Sequence, residues 1–359
     1  MRVLIVTGSS GGHIFPALAL MQGLKGRCSD VLMVMPEKGR SGRFCDGTER
    51  VKYIHACSLR LKLNKKNIKE AYFFMLGAWE GLRIILTFKP DVVVGFGSLH
   101  TLALLFWAWL FRIKTMIHEQ NVVFGKANRL LAKFADKVAV SFAQTSAGSP
   151  SLGGKTVVTG NPVRPGMIRV PKKEALDFFG LEEGRFNMLV VGGSQGSHNL
   201  NIACPAALQG LRGKDNLQVI HISGGSDPAF LKDVYGRSGI KHRVFDFLRQ
   251  MQYAYSVADL AVCRAGATTI AELQRFALPA ILVPYPFAYA HQVDNAMVLR
   301  DCGAALIIRE EELCAEKMRA ALEGLMADPG KLEAMRGSYA AKDGPDACEL
   351  LAEEVLNLK

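Results

Sequence analysis

Short apolar runs recur along this 359-residue chain at intervals that leave room for about one helix each, and they do so in both halves. Met1 to Val6, Val31 to Met35, Asp91 to Gly95, Lys114 to His118 and Lys137 to Ser141 are the runs of the first half. Asn187 to Val191, Leu217 to Ser223, Leu260 to Cys263, Ala280 to Pro284 and Ala304 to Ile308 are those of the second. Continuous apolar runs of this length fit strands buried on both faces. The helical-length segments between most of them fit the crossovers that a parallel sheet requires. The pattern predicts an α/β chain.

The halves also resemble each other. Arg2 to His13 (RVLIVTGSSGGH) and Asn187 to His198 (NMLVVGGSQGSH) agree at six of twelve positions: Leu4/Leu189, Val6/Val191, Gly8/Gly193, Ser9/Ser194, Gly11/Gly196 and His13/His198. In each, an apolar strand runs into a Gly-Ser loop and a helical pattern follows. Such self-similarity predicts two domains of one class. The junction expected between them is Gly160-Asn161-Pro162-Val163-Arg164-Pro165, a turn-rich link with two prolines. It sets the domains at residues 1–163 and 164–342, with a last helix, in about 343–359, that packs back on the first or stays with the second. Two Rossmann-like, doubly wound domains then face a cleft, with ligands at the carboxyl ends of both sheets.

Composition narrows the classes. A hydrophobic share of 49% excludes disordered and collagen-like chains. The eight cysteines are scattered without a Cys-x-x-Cys pair, so they read as free thiols in a reducing compartment. The chain opens on a strand rather than a signal peptide, and its most apolar segment, Thr101 to Phe111, is far short of the ~20 residues of a spanning helix. A cytoplasmic location is expected. The net charge of +11 is lopsided, at +13 over residues 1–160 and −2 over the rest. That asymmetry points to an anionic partner of the first half: nucleic acid, phospholipid headgroups or a phosphorylated substrate.

The candidate chemistry sits where strands end. Gly8-Ser9-Ser10-Gly11-Gly12-His13 lies between a strand and a helix with Pro16 in its first turn, so its backbone N–H groups suit an anion. Its spacing is not G-x-G-x-x-G, and no G-x-x-x-x-G-K-[ST] occurs, which removes support for dinucleotide and P-loop readings. His13 either accepts a proton from an attacking hydroxyl or merely caps local backbone. Gly192 to Ser197 is the equivalent loop of the second half, suited to a phosphate or a sugar hydroxyl. Cys263 to Glu272 (CRAGATTIAE) joins a strand end, a glycine turn and a helix start, where amides and hydroxyls can hold a diphosphate. There Glu272 can accept from both hydroxyls of a ribose, or close a capping box with Thr269. His291 and Gln292 can read sugar hydroxyls, and in His118-Glu119-Gln120-Asn121 at least one side chain is expected in the site. Without Asp-x-Asp, H-E-x-x-H or clustered Cys/His, a diphosphate would be neutralised by helix dipoles, amides and Arg/Lys, with Arg164 well placed and no metal expected.

Lys52 to Phe88 stands apart. Lys52, Arg60, Lys62, Lys65, Lys66 and Lys69 lead into Ile68, Tyr72, Phe73, Phe74, Met75, Leu76, Trp79, Leu82, Ile84, Ile85 and Leu86, apolar almost all round a helix. A basic shoulder beside such a helix suits an anionic membrane surface; the plainer alternative is a helix buried between sheet and loops. Trp107 and Trp109 read as part of a core helix.

GGHIFPALA (Gly11 to Ala19), KPDVVVGFG (Lys89 to Gly97), HEQN (His118 to Asn121), GNPVR (Gly160 to Arg164), VVGGSQG (Val190 to Gly196), ADLAVCRAGATTIAE (Ala258 to Glu272) and the His291-Gln292 pair occur in an order that closely resembles the MurG family, glycosyltransferase family 28. The resemblance covers nearly the whole chain. It implies the GT-B fold and an inverting transfer of GlcNAc from UDP-GlcNAc to the C4 hydroxyl of MurNAc in lipid I, a step of peptidoglycan synthesis, at the cytoplasmic face of the bacterial plasma membrane. It implies His13 as the base, and a glycine loop with Ser10, Gly11 and Gly12 receiving lipid I. Asn121 and Arg164 would line the cleft. Ser194 and Gln195 would lie near the diphosphate and sugar, Ala267, Thr268 and Thr269 at the phosphates, Leu248 at uracil, Glu272 at the ribose, and His291 and Gln292 at the sugar. It implies neither cofactor nor metal, and the Lys52–Phe88 region on an anionic membrane. Three departures stand out: Ser10 where relatives have threonine, Ser98-Leu99-His100 where the family continues with glycine and tyrosine, and His291 where some have glutamine.

Two enzyme alternatives share the fold: another UDP-sugar:lipid transferase, and a UDP-GlcNAc 2-epimerase, against which the basic-apolar segment counts. A nucleic-acid-binding protein is the alternative of another class. No reader motif or stacking platform supports it, and no nucleic acid is expected as partner.

Overall fold

The computed structural model describes residues 1–37, 50–55, 65–147, 150–164, 166–193, 196–225, 228–286, 291–339 and 346–358, the side chains of residues 65–68, 100, 150 and 151 excepted. The chain forms two compact units, Met1–Pro165 with Gly344–Lys359, and Gly166–Asp343. Arg164, expected to open the second domain, belongs to the first.

The first unit is built on strands β1 (Arg2–Val6), β2 (Asp30–Pro36), β3 (Val51–Ile54), β4 (Val92–Gly95), β5 (Lys114–Glu119), β6 (Lys137–Val140) and β7 (Thr156–Val158). They form one sheet in the order β3-β2-β1-β4-β5-β6-β7, and every pairing is parallel. Helices α1 (Gly11–Gly23), α2 (Lys65–Phe88), α3 (Leu99–Leu110), α4 (Lys126–Leu131) and α5 (Ala143–Ala147) connect them. Leu4, Val6, Val93 and Ile117 pack against Ile84, Leu104 and Leu131 on one face; Val3, Ile5, Val92 and Val94 pack against Ile14, Leu18 and Leu20 on the other. Burial on both faces is why these strands read as unbroken apolar runs.

The second unit repeats the plan with β8 (Phe186–Val191), β9 (Leu217–Ile222), β10 (Lys241–Phe245), β11 (Leu260–Cys263), β12 (Ala280–Leu282) and β13 (Ala305–Ile307), all parallel in the order β10-β9-β8-β11-β12-β13. Its helices are α6 (Lys172–Phe179), α7 (His198–Gln209), α8 (Pro228–Ser238), α9 (Met251–Val257), α10 (Ala267–Phe276), α11 (His291–Asp301), α12 (Ala315–Met326) and α13 (Pro329–Gly337). The last helix, α14 (Ala347–Leu356), returns to the first unit. There Leu351, Ala352 and Val355 join the core beside α1, the Cys348 thiol donates to Ala19 O at 3.0 Å, and Glu354 pairs with Lys137.

α2 is apolar on two opposite faces, one docked and one exposed. Ile84, Ile85 and Phe88 are buried, Gly81 meets Leu104 of α3, and Trp107 Nε1 donates to Ala78 O at 3.0 Å. The opposite face leaves Tyr72, Met75, Trp79 and Leu86 more than half exposed. Lys69–Phe88 is long and apolar enough to cross a membrane by length and composition, yet one side of it is docked on α3. Trp109 is 45% exposed, which corrects its assignment to the core; Trp107 is half-buried. Arg60 and Lys62 lie outside the described residues.

Candidate functional site

In each sheet the chain winds outward from the first strand and then crosses back to the far side of it, β1 to β4 and β8 to β11. In open α/β sheets ligands bind outside the carboxyl ends of the strands at such a switch point. The candidate residues gather at these two switch points.

His13 is the third residue of α1. Ser10 caps the helix with extended backbone, and its carbonyl accepts from His13 N and Ile14 N at 3.0 Å each. Its hydroxyl does not cap. It lies 3.0 Å from His13 Nδ1 instead. Two glycines make room for the ring. A Cβ on Gly8 would fall 2.8 Å from Nδ1, and one on Gly97, whose φ is +82°, would fall 3.4 Å from Nε2. Burial holds the His13 imidazole below its usual pKa, while the Glu119 carboxylate works in the other direction. A neutral imidazole at a crevice is able to take a proton. Gly11 and Gly12 complete the first turn, Gly12 at the surface.

Glu119 is only 1% exposed, and its carboxylate organises the β5–α4 loop. Oε1 accepts from Asn121 N at 3.0 Å and Asn121 Nδ2 at 3.1 Å; Oε2 accepts from Gly125 N and Asn128 Nδ2, both at 2.9 Å. Asn121 thus has both its backbone N–H and its side-chain amide turned to Glu119. His118 points away: Nε2 bonds Gly160 O at 3.0 Å, Nδ1 bonds Gln120 Nε2 at 3.1 Å, and burial pushes the ring down to about 4, against the Gly160 carbonyl that works to raise it. His118 and Gln120 are packing residues. Arg164 stacks on Phe15 of α1, 4.3 Å from guanidinium carbon to ring centre. Ser98 takes φ +86°, the left-handed region that favours glycine.

In the second unit Ser194 and Gln195 lie outside the described residues. Gly196 beside them has φ +78°, and a Cβ there would stand 2.3 Å from Ser223 O, so the loop packs backbone on backbone and only glycine fits. The internal repeat is broken here. α7 starts at His198, which is exposed, whereas α1 starts two residues before His13. The repeated histidine is not a second candidate base.

α10 begins after Gly266, which is extended and contributes no side-chain cap. Ala267, Thr268 and Thr269 thus turn first-turn amides outward at the positive end of a helix, the arrangement that holds phosphate. Thr268 Oγ1 is buried with no hydrogen-bond partner among the described residues. Since Gly266 is the cap, Thr269 and Glu272 do not form a capping box. Glu272, in the second turn and 5% exposed, accepts from Tyr255 Oη at 2.7 Å instead. Gln292 turns its Oε1 to Ala265 N at 3.2 Å and Tyr285 N at 3.0 Å, so only its amide N–H groups remain to read a hydroxyl. His291 opens α11 beside it, and Leu248 is buried in the β10–α9 loop.

Arg264 ties this half together and was not singled out by the sequence. Its guanidinium bonds Val283 O at 3.0 Å, Ser197 Oγ at 2.6 Å and the Glu310 carboxylate, and its centre lies 5.4 Å from the Tyr285 ring. Loops from β8, β11, β12 and β13 meet on one side chain. Burial is the largest influence on Glu310 and works to raise its pKa, but the bonds from Arg264 and Asn199 and the Arg264 charge hold it below the usual carboxylate value. Arg264 is thereby a clamp for the glycine loops rather than a counter-ion for a ligand. Tyr255 was missed as well. Both contacts join residues distant in sequence, and no local pattern marks them.

Comparison with known proteins agrees with this geometry. The glycosyltransferase family 28 N-terminal domain matches residues 3–140, and the family's C-terminal domain matches residues 187–351. A protein of Desulfitobacterium hafniense (strain DSM 10664 / DCB-2) is 34% identical, with 99% of each chain covered. One of Listeria monocytogenes serovar 1/2a is 34% identical, with 100% of this chain and 99% of the relative covered. Both carry the name UDP-N-acetylglucosamine--N-acetylmuramyl-(pentapeptide) pyrophosphoryl-undecaprenol N-acetylglucosamine transferase. The crystal structure of Acinetobacter baumannii MurG is similar with a TM-score of 0.76 and 25% identity, covering 99% of both chains. UDP-GlcNAc 2-epimerase from Neisseria meningitidis, bound to UDP-GlcNAc, reaches a TM-score of 0.72 at 14% identity over 99% of this chain and all of that one, a likeness of fold alone.

Proposed function

This chain belongs to glycosyltransferase family 28 and is an N-acetylglucosaminyltransferase, and we infer that it moves GlcNAc from UDP-GlcNAc to the C4 hydroxyl of MurNAc in lipid I, giving lipid II for peptidoglycan synthesis. One observation carries the reading: the 34% identity runs through both domains and 99% of the chain, whereas the 2-epimerases share the fold at 14% or less.

The second unit holds the donor. First-turn amides of α10 with Thr268 face the diphosphate, Glu272 takes the ribose hydroxyls, Leu248 flanks uracil, and Gln292 with His291 reads the sugar. Ser194 and Gln195 are assigned to the same ligand by their place in the motif. The first unit holds the acceptor on the turn of Ser10, Gly11 and Gly12, with Asn121 and Arg164 beside it. The C4 hydroxyl oxygen attacks C1 of GlcNAc from the face opposite the diphosphate, and its proton passes to the His13 imidazole. The bond from C1 to the β-phosphate oxygen breaks, its electron pair leaves with UDP, and the α linkage becomes β(1→4). Helix dipole, amides and basic side chains stabilise the leaving diphosphate without a metal ion.

The membrane partner rests on exposed side chains. Tyr72, Met75, Trp79 and Leu86 of α2 and Phe106, Trp109 and Leu110 of α3 are exposed apolar groups, with Phe111 and Phe134 nearby. Lys69, Arg83, Arg112, Arg129 and Lys133 are exposed on the same helices and turns. Aromatic and aliphatic groups rimmed by cations suit an anionic leaflet, here the cytoplasmic face of the plasma membrane.

UDP release is the assay, with UDP-GlcNAc and a lipid I analogue in the presence of EDTA. Turnover should persist in EDTA, fall at least about 100-fold in His13→Ala and be nearly abolished in Glu272→Ala. A parental rate in His13→Ala would remove the base, and a requirement for added divalent metal would contradict the charge argument. Conversion of UDP-GlcNAc without any acceptor would favour the epimerase.

A further inference from the structure

The amide oxygen of Asn128 is buried, fixed in orientation and without a partner among the described residues, and the amide borders the same gap as the ring of His13. Asn128 is 3% exposed. Its Nδ2 gives one hydrogen to His118 O at 3.1 Å and the other to Glu119 Oε2 at 2.9 Å. Both donors being committed, the amide cannot be turned over, and Oδ1 is left as the outward atom. No described residue donates to it. A buried acceptor left so forfeits its hydration without a replacement bond. A Cβ on Gly97 would stand 3.4 Å from both Asn128 Nδ2 and His13 Nε2 and 3.5 Å from Asn128 Oδ1, so the amide and the ring border one gap. Glycine keeps that place open between them.

A neutral imidazole carries hydrogen on one nitrogen; after taking a proton it carries hydrogen on both. Ser10 Oγ, 3.0 Å from Nδ1, serves one of the two. We propose that Asn128 Oδ1 accepts the other, the Nε2–H of charged His13, and so links the ring to the Glu119 carboxylate through a fixed amide. Asn128 is then a positioning residue for the base, required when the proton arrives. The inference deepens the reading of His13 as base and rests on it. Glu119 is the charged group that acts on the ring, and the Ser10, Gly8 and Ser98 neighbours are uncharged.

Asn128→Leu, close in size and lacking the acceptor, is the first variant, in the full chain. Its kcat should fall about tenfold or more with the KM for UDP-GlcNAc within about twofold. By NMR of the labelled imidazole, His13 should titrate about one unit lower, a tenfold change in its protonation equilibrium. Because leucine also removes the bonds to His118 and Glu119, Asn128→Asp is the second variant. It keeps an acceptor and adds charge, so His13 should titrate above the parent there, whereas simple loosening of the loop would shift both variants alike. A His13 titration unmoved in both, or shifted the same way in both, overturns the proposal, as does a parental kcat in Asn128→Leu. A parent chain that transfers no GlcNAc would instead sink the functional reading, and the NMR titration would still report on Asn128.

Discussion

Tyr255 donates its phenol hydrogen to Glu272 Oε2 across 2.7 Å, and the two side chains are 3% and 5% exposed. The phenol lies flat against Phe276, with ring centres 5.2 Å apart, so its direction is set by packing. Glu272 consequently presents its carboxylate to the crevice in one orientation. Tyr255→Phe should raise the KM for UDP-GlcNAc about three- to tenfold and leave kcat near the parent, since one hydrogen bond of about 1 kcal/mol is lost from ground state and transition state alike. Steady-state kinetics over a donor titration tests it; a fall in kcat at unchanged KM would show that the tyrosine acts elsewhere.

Ser98 sits at φ +86° directly after Gly97 at +82°. A side chain in that region costs about 1–2 kcal/mol relative to glycine. Ser98→Gly should therefore stabilise the first unit by up to about 1 kcal/mol, less whatever flexibility glycine adds to the unfolded chain. Urea unfolding at neutral pH gives the difference. A lower midpoint at equal slope would mean that the serine hydroxyl holds the loop more strongly than the strain opposes it.

His118 and His221 make the fold sensitive to acid. Burial depresses both, to about 4 and about 3. In the folded protein they stay neutral while the unfolded chain charges its histidines below about pH 6.5. The unfolded state thus binds more protons over that window, and stability is full above it and falls as the pH drops towards the folded values. Each histidine should contribute a slope of about 1.4 kcal/mol per pH unit there. Comparing urea midpoints at pH 7 and 5 for the parent, His118→Asn and His221→Asn checks the sign. Equal pH slopes in all three would contradict it.

Met75 and Trp79 expose 68% and 56% of their surfaces on α2. Met75→Asp with Trp79→Asp should leave the unfolding midpoint nearly unchanged, because neither side chain is in the core. Sedimentation with vesicles of phosphatidylglycerol should drop at least tenfold, and turnover on a soluble acceptor analogue should remain. Retained vesicle binding would move the membrane contact off this helix.

The sequence by itself determined the class, the two-domain plan and the strand ends at which ligands would sit. It could do so because central strands of a parallel sheet are buried on both faces, which writes them as apolar runs, and because turns that approach a ligand require glycine. Each strand it left out, β3, β7 and β10, stands at a sheet edge, where one flank is open and polar residues such as Lys52, Lys241 and Arg243 are tolerated. Its repeat aligned His13 with His198, yet only the folded chain separates a ring lodged between Gly8 and Gly97 from one lying in solvent. The partners that orient the site belong to tertiary structure: Tyr255 for Glu272, Glu310 for Arg264, Glu119 for Asn128. A buried polar group takes its partner from whatever element packs against it, and packing brings together residues that no local spacing relates.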